Sequence, residues 1–319
     1  MKKIRFLALL LALTLLLCAC GAKKTPLEQT AAYLREATPE PTFGSLIGDW
    51  TVLGLARSGV KVPANYYETY YKNVTAAVAE AGGRLSETKY TEYSRLVLAL
   101  TAIGRDPRNV GGYDLLMPLA DFDRATAQGV NGAIFALLAL DSGSYEIPEN
   151  PDAAVQATRE GYVADILSRQ NEDGGWSLAG GASDVDLTAM ALQALAKYRG
   201  GAAVSGAVER GLAWLEWEQE PNGAYLSWDE ENSESVCQVI VALTELGISL
   251  DDERFVKNGQ TLPQVLERFA CEDGSYRHSL NGSSDEMATE QALYALAAIQ
   301  RAEAGEATLY DMSDAARSS

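Results

Sequence analysis

The chain has 319 residues, with 26 lysines and arginines against 44 aspartates and glutamates, so its formal net charge is −18. This length allows one or two domains with a sizeable core. A chain this acidic repels phosphate backbones, which argues against nucleic acid as a partner. The single histidine, His278, argues against a histidine-rich metal site and a Ser-His-Asp triad, and we expect no metal site.

The first 20 residues have the features of a bacterial export signal. A short positive region precedes an apolar run from Phe6 to Leu17, which is too short to span a bilayer comfortably. The next residues, Leu17-Cys-Ala-Cys-Gly21, resemble the lipobox, in which a cysteine is acylated and becomes the first mature residue. The prediction is a lipoprotein signal peptide over 1–20 with Cys20 as the lipidation site; an ordinary signal peptide is the alternative. The lipid would anchor the exported protein to the outer face of the bacterial cytoplasmic membrane.

The residues after the signal divide into three further regions. Residues 21–43 are polar and contain prolines, which predicts a flexible tether with at most a short helix around Leu27 to Ala37. The folded body is expected over 44–302. In the tail, 303–319, we expect a short closing segment around Leu309 to Ser313 and disorder from Asp314 onward.

Six apolar segments with helical spacing recur through the body. When they are aligned on a shared Ala-Leu or Gly-Leu pair, the pair begins at positions 54, 99, 139, 194, 242 and 295. A period of roughly 40 to 55 residues is typical of stacked helix pairs. The segments begin at Trp50, Tyr93, Asn131, Asp186, Glu234 and Met287.

The apolar segments and the segments between them differ in charge. Asn131 to Leu140 and Leu187 to Ala196 carry no charge, whereas Ala154 to Arg169 mixes charges with an apolar stripe. A helix that is apolar on all faces is buried on all faces. The alternation predicts an all-α ring, with parallel inner helices covered by an outer layer. An open superhelix is the alternative, but its end repeats should be polar and neither end repeat is.

A turn motif precedes three of the apolar segments. Each copy is an Asp-Gly or Asn-Gly pair followed two residues later by an aromatic residue: 173–176, 222–225 and 273–276. The glycine supplies the positive φ that ends a helix, and the aromatic side chain can pack back on the helices just joined. The two cysteines of the body, Cys237 and Cys271, are interpreted as small buried residues, because spacing alone cannot establish a disulfide.

The repeats resemble a known family. Arg159 to Trp176, with Arg-x-Gly at its start and Gln-x-x-x-Gly-x-Trp at its end, resembles the repeat of squalene-hopene cyclases and prenyltransferase β subunits. Asp184 to Leu192 resembles the aspartate-rich start of their inner helices and, equally, the α domain of the cobalamin carriers intrinsic factor and transcobalamin. Ser233 to Leu243 and Asp285 to Leu296 resemble Gram-positive surface proteins with prenyltransferase/squalene-oxidase repeats. The resemblance covers roughly residues 44–302 and implies an (α/α)6 toroid of six helix-pair repeats.

In such a toroid the inner-helix N-termini converge on one mouth, where unpaired backbone N–H groups gather. The repeat alignment places Trp50, Arg95, Phe135, Met190, Gln238 and Gln291 in one register. Polar and aromatic side chains together suit a polar ligand with an apolar body. The alternative interpretation is a helix N-cap and nothing more; it applies to Asp184, Asn232 and Asp285 first, and also to Asp186 and Glu234. The predicted ligand-binding residues are Trp50, Tyr93, Asn131, Phe135, Asp184, Asp186, Glu234, Gln238, Glu290 and Gln291.

The first functional hypothesis is binding without catalysis. The resemblance to cobalamin carriers implies that Asp186 occupies a ligand-contact position, with Asn131, Gln238 and Gln291 in comparable places by repeat alignment. Those carriers close a β-rich domain over the ligand, and we expect no such lid here. A cobalamin-like corrinoid is therefore one candidate ligand beside peptides, glycans and isoprenoids, and no cofactor is otherwise expected.

The second hypothesis is an isoprenoid-modifying enzyme. Cyclases that protonate an alkene use an Asp-x-Asp-Asp motif, and here Leu187 replaces the last aspartate, which leaves Asp186 as the acid if the protein is an enzyme. Prenyltransferases require zinc, and the nearest ligand candidates, Cys271, Asp273 and His278, do not match that family's arrangement. The sequence therefore favours binding. The third hypothesis is an envelope module that docks another protein. Under each hypothesis we expect the mature protein to be a monomer.

Overall fold

The computed structural model describes residues 24–44, 46 and 48–315. The predicted signal peptide, Cys20 and the final residues of the tail lie outside this part of the chain. None of the described helices is long and apolar enough to cross a membrane. In chain order the helices are α1 (Pro26–Ala37), α2 (Asp49–Arg57), α3 (Ala64–Glu80), α4 (Thr91–Ala102), α5 (Phe122–Ala125), α6 (Val130–Ser142), α7 (Arg159–Ser168), α8 (Val185–Leu195), α9 (Ala202–Glu218), α10 (Ser233–Glu245), α11 (Leu262–Glu267) and α12 (Glu286–Ala304).

The even-numbered helices form an inner ring, and each contains one of the six apolar segments of the sequence. Neighbouring inner helices pack against each other, and α12 packs against α2, which closes the ring. Ala133 to Leu140 of α6 are all buried, as the absence of charge in this segment predicts. The predicted all-α ring of six repeats is confirmed.

The outer layer is less regular than the inner ring. Helices α7, α9 and α11 each pack on the inner helix that precedes them, and α1 packs on α12. In the third repeat a one-turn helix, α5, and a short 3-10 helix (Pro118–Ala120) take the place of a full outer helix. Pro107, the pair Gly111-Gly112 and Pro118 interrupt the helical pattern before α5.

The N-terminal residues differ from the predicted tether over 21–43. The short helix allowed around Leu27 to Ala37 is present as α1, and the Thr25 side chain caps it. Leu34 is fully buried, and the apolar face of α1 packs on α12 where the ring closes. The packed body therefore begins at Pro26 and not at residue 44.

The C-terminal segment crosses the ring at the inner-helix C-termini. The backbone N–H of Tyr310 donates to Glu245 Oε1 at 3.0 Å, and that of Met312 donates to the Ser142 carbonyl at 3.0 Å. Leu309 and Met312 are buried, as expected of a closing segment. The expectation of disorder from Asp314 is wrong at Asp314 itself, because its carboxylate accepts hydrogen bonds from two buried arginines.

The three turn motifs have the conformation that the sequence predicts. The glycines at 174, 223 and 274 have φ of 101°, 86° and 92°, and the aromatic residues Trp176, Tyr225 and Tyr276 are buried. Two antiparallel hairpins follow the second and third turns and lead into the inner helices. They pair β1 (Leu226–Ser227) with β2 (Glu230–Glu231), and β3 (Tyr276–Arg277) with β4 (Ser284–Asp285).

Candidate functional site

A cavity of about 270 Å³ lies at the centre of the ring, and all six inner helices contribute to its wall. Tyr310 from the C-terminal segment also lines it, and the same residue lines a second cavity at the inner-helix C-termini. Tyr310 therefore forms the floor of the central cavity. The six side chains of the predicted register, one from each inner helix, all line the wall: Trp50, Arg95, Phe135, Met190, Gln238 and Gln291.

Three aromatic rings, from α2, α6 and α12, form part of the cavity wall. The ring centroid of Trp50 lies 5.7 Å from that of Phe135 and 6.1 Å from that of Tyr294. The interplanar angles are 59° and 55°, so the rings are tilted and not stacked in parallel. Such a wall offers both ring faces and ring edges to a ligand.

Glutamine side chains form a hydrogen-bonded chain from Gln193, which lines the second cavity, to Gln238 and Gln291 in the central wall. Gln193 Nε2 donates to Gln238 Oε1 at 3.0 Å, and Gln238 Nε2 donates to Gln291 Oε1 at 2.9 Å and to the Tyr294 hydroxyl at 2.5 Å. Gln193 was not among the predicted residues. A buried amide in the otherwise apolar Leu187 to Ala196 segment is the signal that could have identified it.

Charged and polar groups complete the wall. Arg95 Nε donates to Asp49 Oδ2 at 2.7 Å, and Asp49 is fully buried beneath it. Glu290 is 2% exposed and its Oε1 accepts from the Thr51 hydroxyl at 2.5 Å. Asn131 Oδ1 is buried with no hydrogen-bond partner in the structure, so a ligand donor could satisfy it.

Four of the ten predicted ligand-binding residues do not line the cavity. The Tyr93 hydroxyl accepts from the backbone N–H of Leu85 at 2.9 Å and faces a separate surface groove, because it lies two positions before the lining register. Asp184 caps α8 by accepting from Leu187 N at 3.0 Å. Asp186 and Glu234 lie one turn nearer the helix N-termini than Met190 and Gln238, which do line the wall. We call Asp184, Asp186 and Glu234 the acidic rim.

The acidic rim contains one carboxyl group with a strongly shifted pKa. Burial raises the pKa of Asp186 to about 6, opposed by the Ser235 hydroxyl and His278, while the negative charges of Asp184 and Glu234 add to the rise. Asp186 Oδ1 is buried and has no hydrogen-bond partner. This carboxyl group can therefore change protonation near neutral pH or accept a hydrogen bond from a ligand.

Glu234 is paired with the only histidine of the chain. His278 Nδ1 lies 2.9 Å from Glu234 Oε1 and 3.0 Å from Oε2. Partial burial opposes protonation of His278, but the hydrogen bond and charge of Glu234, with Glu230 and Asp285, raise its pKa overall. The sequence could not predict this pair, because His278, just after β3, lies 44 positions along the chain from Glu234 of α10.

Asp186 yields a prediction about stability and pH. Its folded pKa lies above the ordinary value, so its stabilising contribution is present below pH 3.8 and is lost as the pH rises through about 6. We expect Asp186→Asn to raise the free energy of unfolding at pH 7 by about 1 to 2 kcal/mol and to change it little at pH 4. Urea unfolding at both pH values measures this. Asp184→Asn is the matched control, since asparagine caps helices equally well; an equal gain at both pH values would contradict the assignment.

Metal ligation and thiol chemistry receive no support from the described residues. Among them, no group of three His, Cys, Asp or Glu side chains is placed to hold a metal ion. Cys237 is buried and Cys271 is half-buried, and the two thiols are not joined. The expected burial is therefore complete for Cys237 and partial for Cys271.

The chain matches no protein-family model, and a search of curated proteins finds no significant match. Among solved structures it is similar to the ent-copalyl diphosphate synthase of Streptomyces platensis, with a TM-score of 0.53 and 20% identity over 81% of this chain and 50% of the synthase. The chain thus spans about half the length of that enzyme.

Two further solved structures match over nearly their whole length. The unsaturated glucuronyl hydrolase of Bacillus sp. GL1, described as responsible for glycosaminoglycan degradation, matches with a TM-score of 0.57 and 15% identity over 89% of this chain and 97% of that one. A protein from Actinoplanes matches with a TM-score of 0.55 and 16% identity over 87% and 98%. At these identities the likeness concerns the fold alone. The terpenoid cyclase and the glucuronyl hydrolase are both α/α toroids, and this chain has the α/α toroid fold.

Proposed function

We propose that this protein binds a small ligand in the central cavity without transforming it. The observation that carries the proposal is the wall itself, to which every inner helix contributes at least one side chain and which includes aromatic rings and amides. Ligand sites typically combine an apolar lining with a few placed polar groups. The buried, unpartnered Asn131 Oδ1 is one such group.

The cavity favours a compact ligand. Its volume of about 270 Å³ lies just below the usual range of ligand pockets, roughly 300 to 1,000 Å³. A corrinoid is a large macrocycle and would have to rest across the mouth instead of entering. We therefore favour a small molecule, or the end of a peptide or glycan, over a corrinoid.

Anchoring at the membrane completes the proposal. The apolar run and the cysteine at position 20 support lipidation and display on the outer face of the cytoplasmic membrane. Metabolic labelling with a fatty acid in the host should mark the wild-type chain and leave Cys20→Ser unlabelled. Labelling of both would contradict the assignment.

Trp50 provides the direct test of the binding proposal. We expect a small molecule to co-purify with the protein from its host, seen as a mass increment by native mass spectrometry. Trp50→Ala removes the central ring of the aromatic wall and should reduce occupancy by about tenfold or more. Trp217, 83% exposed on α9 outside the cavity, supplies the matched control Trp217→Ala. Equal occupancy in wild type and Trp50→Ala would refute the cavity as the site.

Catalysis is the second candidate, and one observation favours it. The pKa of Asp186, raised to about 6 by burial, suits a general acid at neutral pH. The incomplete Asp-x-Asp-Asp motif and the position of Asp186 outside the cavity wall speak against it. Turnover of a polyprenyl substrate that is abolished in Asp186→Asn would replace the binding proposal.

Protein docking is the third candidate. Trp228, at the β1–β2 turn that leads into α10, is 98% exposed and has a φ of 53°. The two-residue hairpin turn accounts for the positive φ, and the exposed indole ring is accessible to a partner. Loss of a partner from host pull-downs on Trp228→Ala, with cavity occupancy unchanged, would support it.

A further inference from the structure

The charge of the cavity wall identifies the chemistry that it can accept. The only cationic side chain of the described wall, Arg95, is paired with the fully buried carboxylate of Asp49 at 2.7 Å. This pair is neutral as a unit. Glu290 adds a carboxylate that is 2% exposed and whose Oε1 accepts from the Thr51 backbone N–H at 3.2 Å and hydroxyl at 2.5 Å. The charged side chains of the described wall therefore sum to a net negative charge.

The mouth above the cavity has the same sign. Asp186 and Glu234 lie one turn above the lining residues Met190 and Gln238. Helix N-termini ordinarily attract anions, but α8, α10 and α12 are capped by their own side chains. Asp184, Asn232 and Asp285 accept these backbone hydrogen bonds at 3.0, 2.8 and 2.9 Å. The mouth around α8, α10 and α12 therefore attracts cations through its carboxylates, although His278 is paired with Glu234 and α2, α4 and α6 have no side-chain cap.

Two buried acceptor atoms of the cavity and the mouth lack a hydrogen-bond partner. Asn131 Oδ1 in the wall and Asp186 Oδ1 in the acidic rim are both buried without a hydrogen-bond partner. A ligand that satisfies them must donate hydrogen bonds, as an ammonium group does. In the same wall, the tilted rings of Trp50, Phe135 and Tyr294 present π faces, which attract cations within about 6 Å.

From these observations we infer that the cavity is selective for an organic cation, a protonated amine attached to an aromatic or apolar body. The inference rests on the proposed binding function and specifies its ligand class. Glu290 supplies the counter-charge, the aromatic rings hold the body, and the acidic rim guides the cation through the mouth.

Three probes with the same phenyl body and different charge test the inference: phenethylamine, phenethyl alcohol and hydrocinnamate. Binding to the chain without its first 20 residues, which retains every described residue, is measured by calorimetry at neutral pH and low salt. We expect phenethylamine to bind about tenfold or more tightly than the alcohol, because of cation–π and ionic contacts, and hydrocinnamate to bind weakest. Added salt should weaken only the binding of the amine.

Glu290→Gln is the variant that isolates the counter-charge. Glutamine keeps the Oε1 acceptor for Thr51 and removes the negative charge, so the preference for the amine over the alcohol should fall to about threefold or less. Glu303→Gln, an exposed position in the last turn of the same helix, is the matched control and should keep the full preference.

The outcomes separate this inference from the binding proposal. Equal affinity for amine and alcohol, or tightest binding of hydrocinnamate, would show a binding cavity without cation selectivity and overturn the inference alone. An unchanged amine preference in Glu290→Gln would likewise overturn the role of Glu290. No binding of any probe, together with no co-purifying ligand, would overturn both.

Discussion

Replacement of Arg57 by methionine should lower the free energy of unfolding by about 3 kcal/mol or more and release the C-terminal segment. Arg57 is 3% exposed in the last turn of α2. Its guanidinium donates to the carbonyls of Thr308, Leu309 and Asp311 at 2.8, 3.1 and 2.8 Å, and to Asp314 at 2.6 Å. Methionine fills part of the volume but leaves these acceptors without their donor.

The consequence should reach the central cavity. Tyr310 lies within the segment that Arg57 holds, and it separates the central cavity from the second cavity at the inner-helix C-termini. When the segment is released, the two cavities join and the ring becomes an open passage. Bound ligand should then dissociate faster, although Arg57 does not line the central cavity.

Two measurements check this prediction. Urea unfolding gives the loss of stability, and hydrogen exchange of the amides in 307–314 reports release of the segment. Arg84→Met is the matched control, because Arg84 and its partner Glu87 are both exposed and such pairs contribute about 1 kcal/mol at most. Unchanged protection of 307–314 in Arg57→Met would contradict the anchoring role.

The inner ring was predictable from the sequence because its physical signature is local. A helix buried on all faces has no charged side, so Asn131 to Leu140 and Leu187 to Ala196 identify themselves without knowledge of their neighbours. The Asp/Asn-Gly-x-aromatic turns are also local, since they depend on glycine at a positive φ. The register of the cavity wall then followed from the alignment of six equivalent helices.

The outer elements were harder because their signals depend on distant partners. The apolar face of α1 consists of Leu27, Ala31 and Leu34 among polar residues, and only packing on α12 distinguishes it from a surface helix in a linker. The C-terminal segment contains few apolar residues. Two arginines hold it in place: Arg57, more than 240 positions earlier in the chain, and Arg301, 13 positions before Asp314.

The candidate site could be predicted only in part, because some of its positions also depend on distant partners. Trp50, Phe135, Gln238 and Gln291 line the cavity, as their helical register indicated, and Asn131 and Glu290 line it from positions outside that register. Asp184 caps its helix, which was its alternative interpretation, while the positions of Asp186 and Glu234 above the wall depend on the depth at which each helix enters the ring. No sequence pattern records that depth.

Asp49→Ala should have the largest effect on stability, lowering the free energy of unfolding by about 3 to 5 kcal/mol. Asp49 is fully buried, and its carboxylate accepts from Arg95 Nε at 2.7 Å and from the Tyr70 hydroxyl at 2.5 Å. It thereby joins α2, α3 and α4. Burial raises the pKa of Asp49, and Arg95 opposes that rise. Removal of the carboxylate leaves a buried cation and a buried hydroxyl without their acceptor.

A double-mutant cycle separates the ion pair from the loss of packing. Arg95→Met removes the stranded cation, so we expect Asp49→Ala/Arg95→Met to be more stable than Asp49→Ala alone, with a coupling energy of about 1 to 3 kcal/mol measured by urea unfolding. Recovery should be partial, because the Tyr70 hydroxyl still lacks its acceptor. Asp152→Ala, at an exposed position, is the control and should leave stability unchanged. Additive effects within about 0.5 kcal/mol would show that the two residues act independently.

Related variants at the same two positions link this buried pair to ligand selectivity. Asp49 does not line the cavity, yet its carboxylate cancels the charge of Arg95, which does. Under conditions in which the variant is fully folded, Asp49→Asn should therefore weaken phenethylamine binding and strengthen hydrocinnamate binding. Addition of Arg95→Met to Asp49→Asn should restore the preference for the amine, because the net charge of the wall then returns to that of Glu290. Restoration would show that the cavity selects by its net charge, whereas a lasting loss would mean that the shape of the wall, held by the Asp49 carboxylate, is the larger factor.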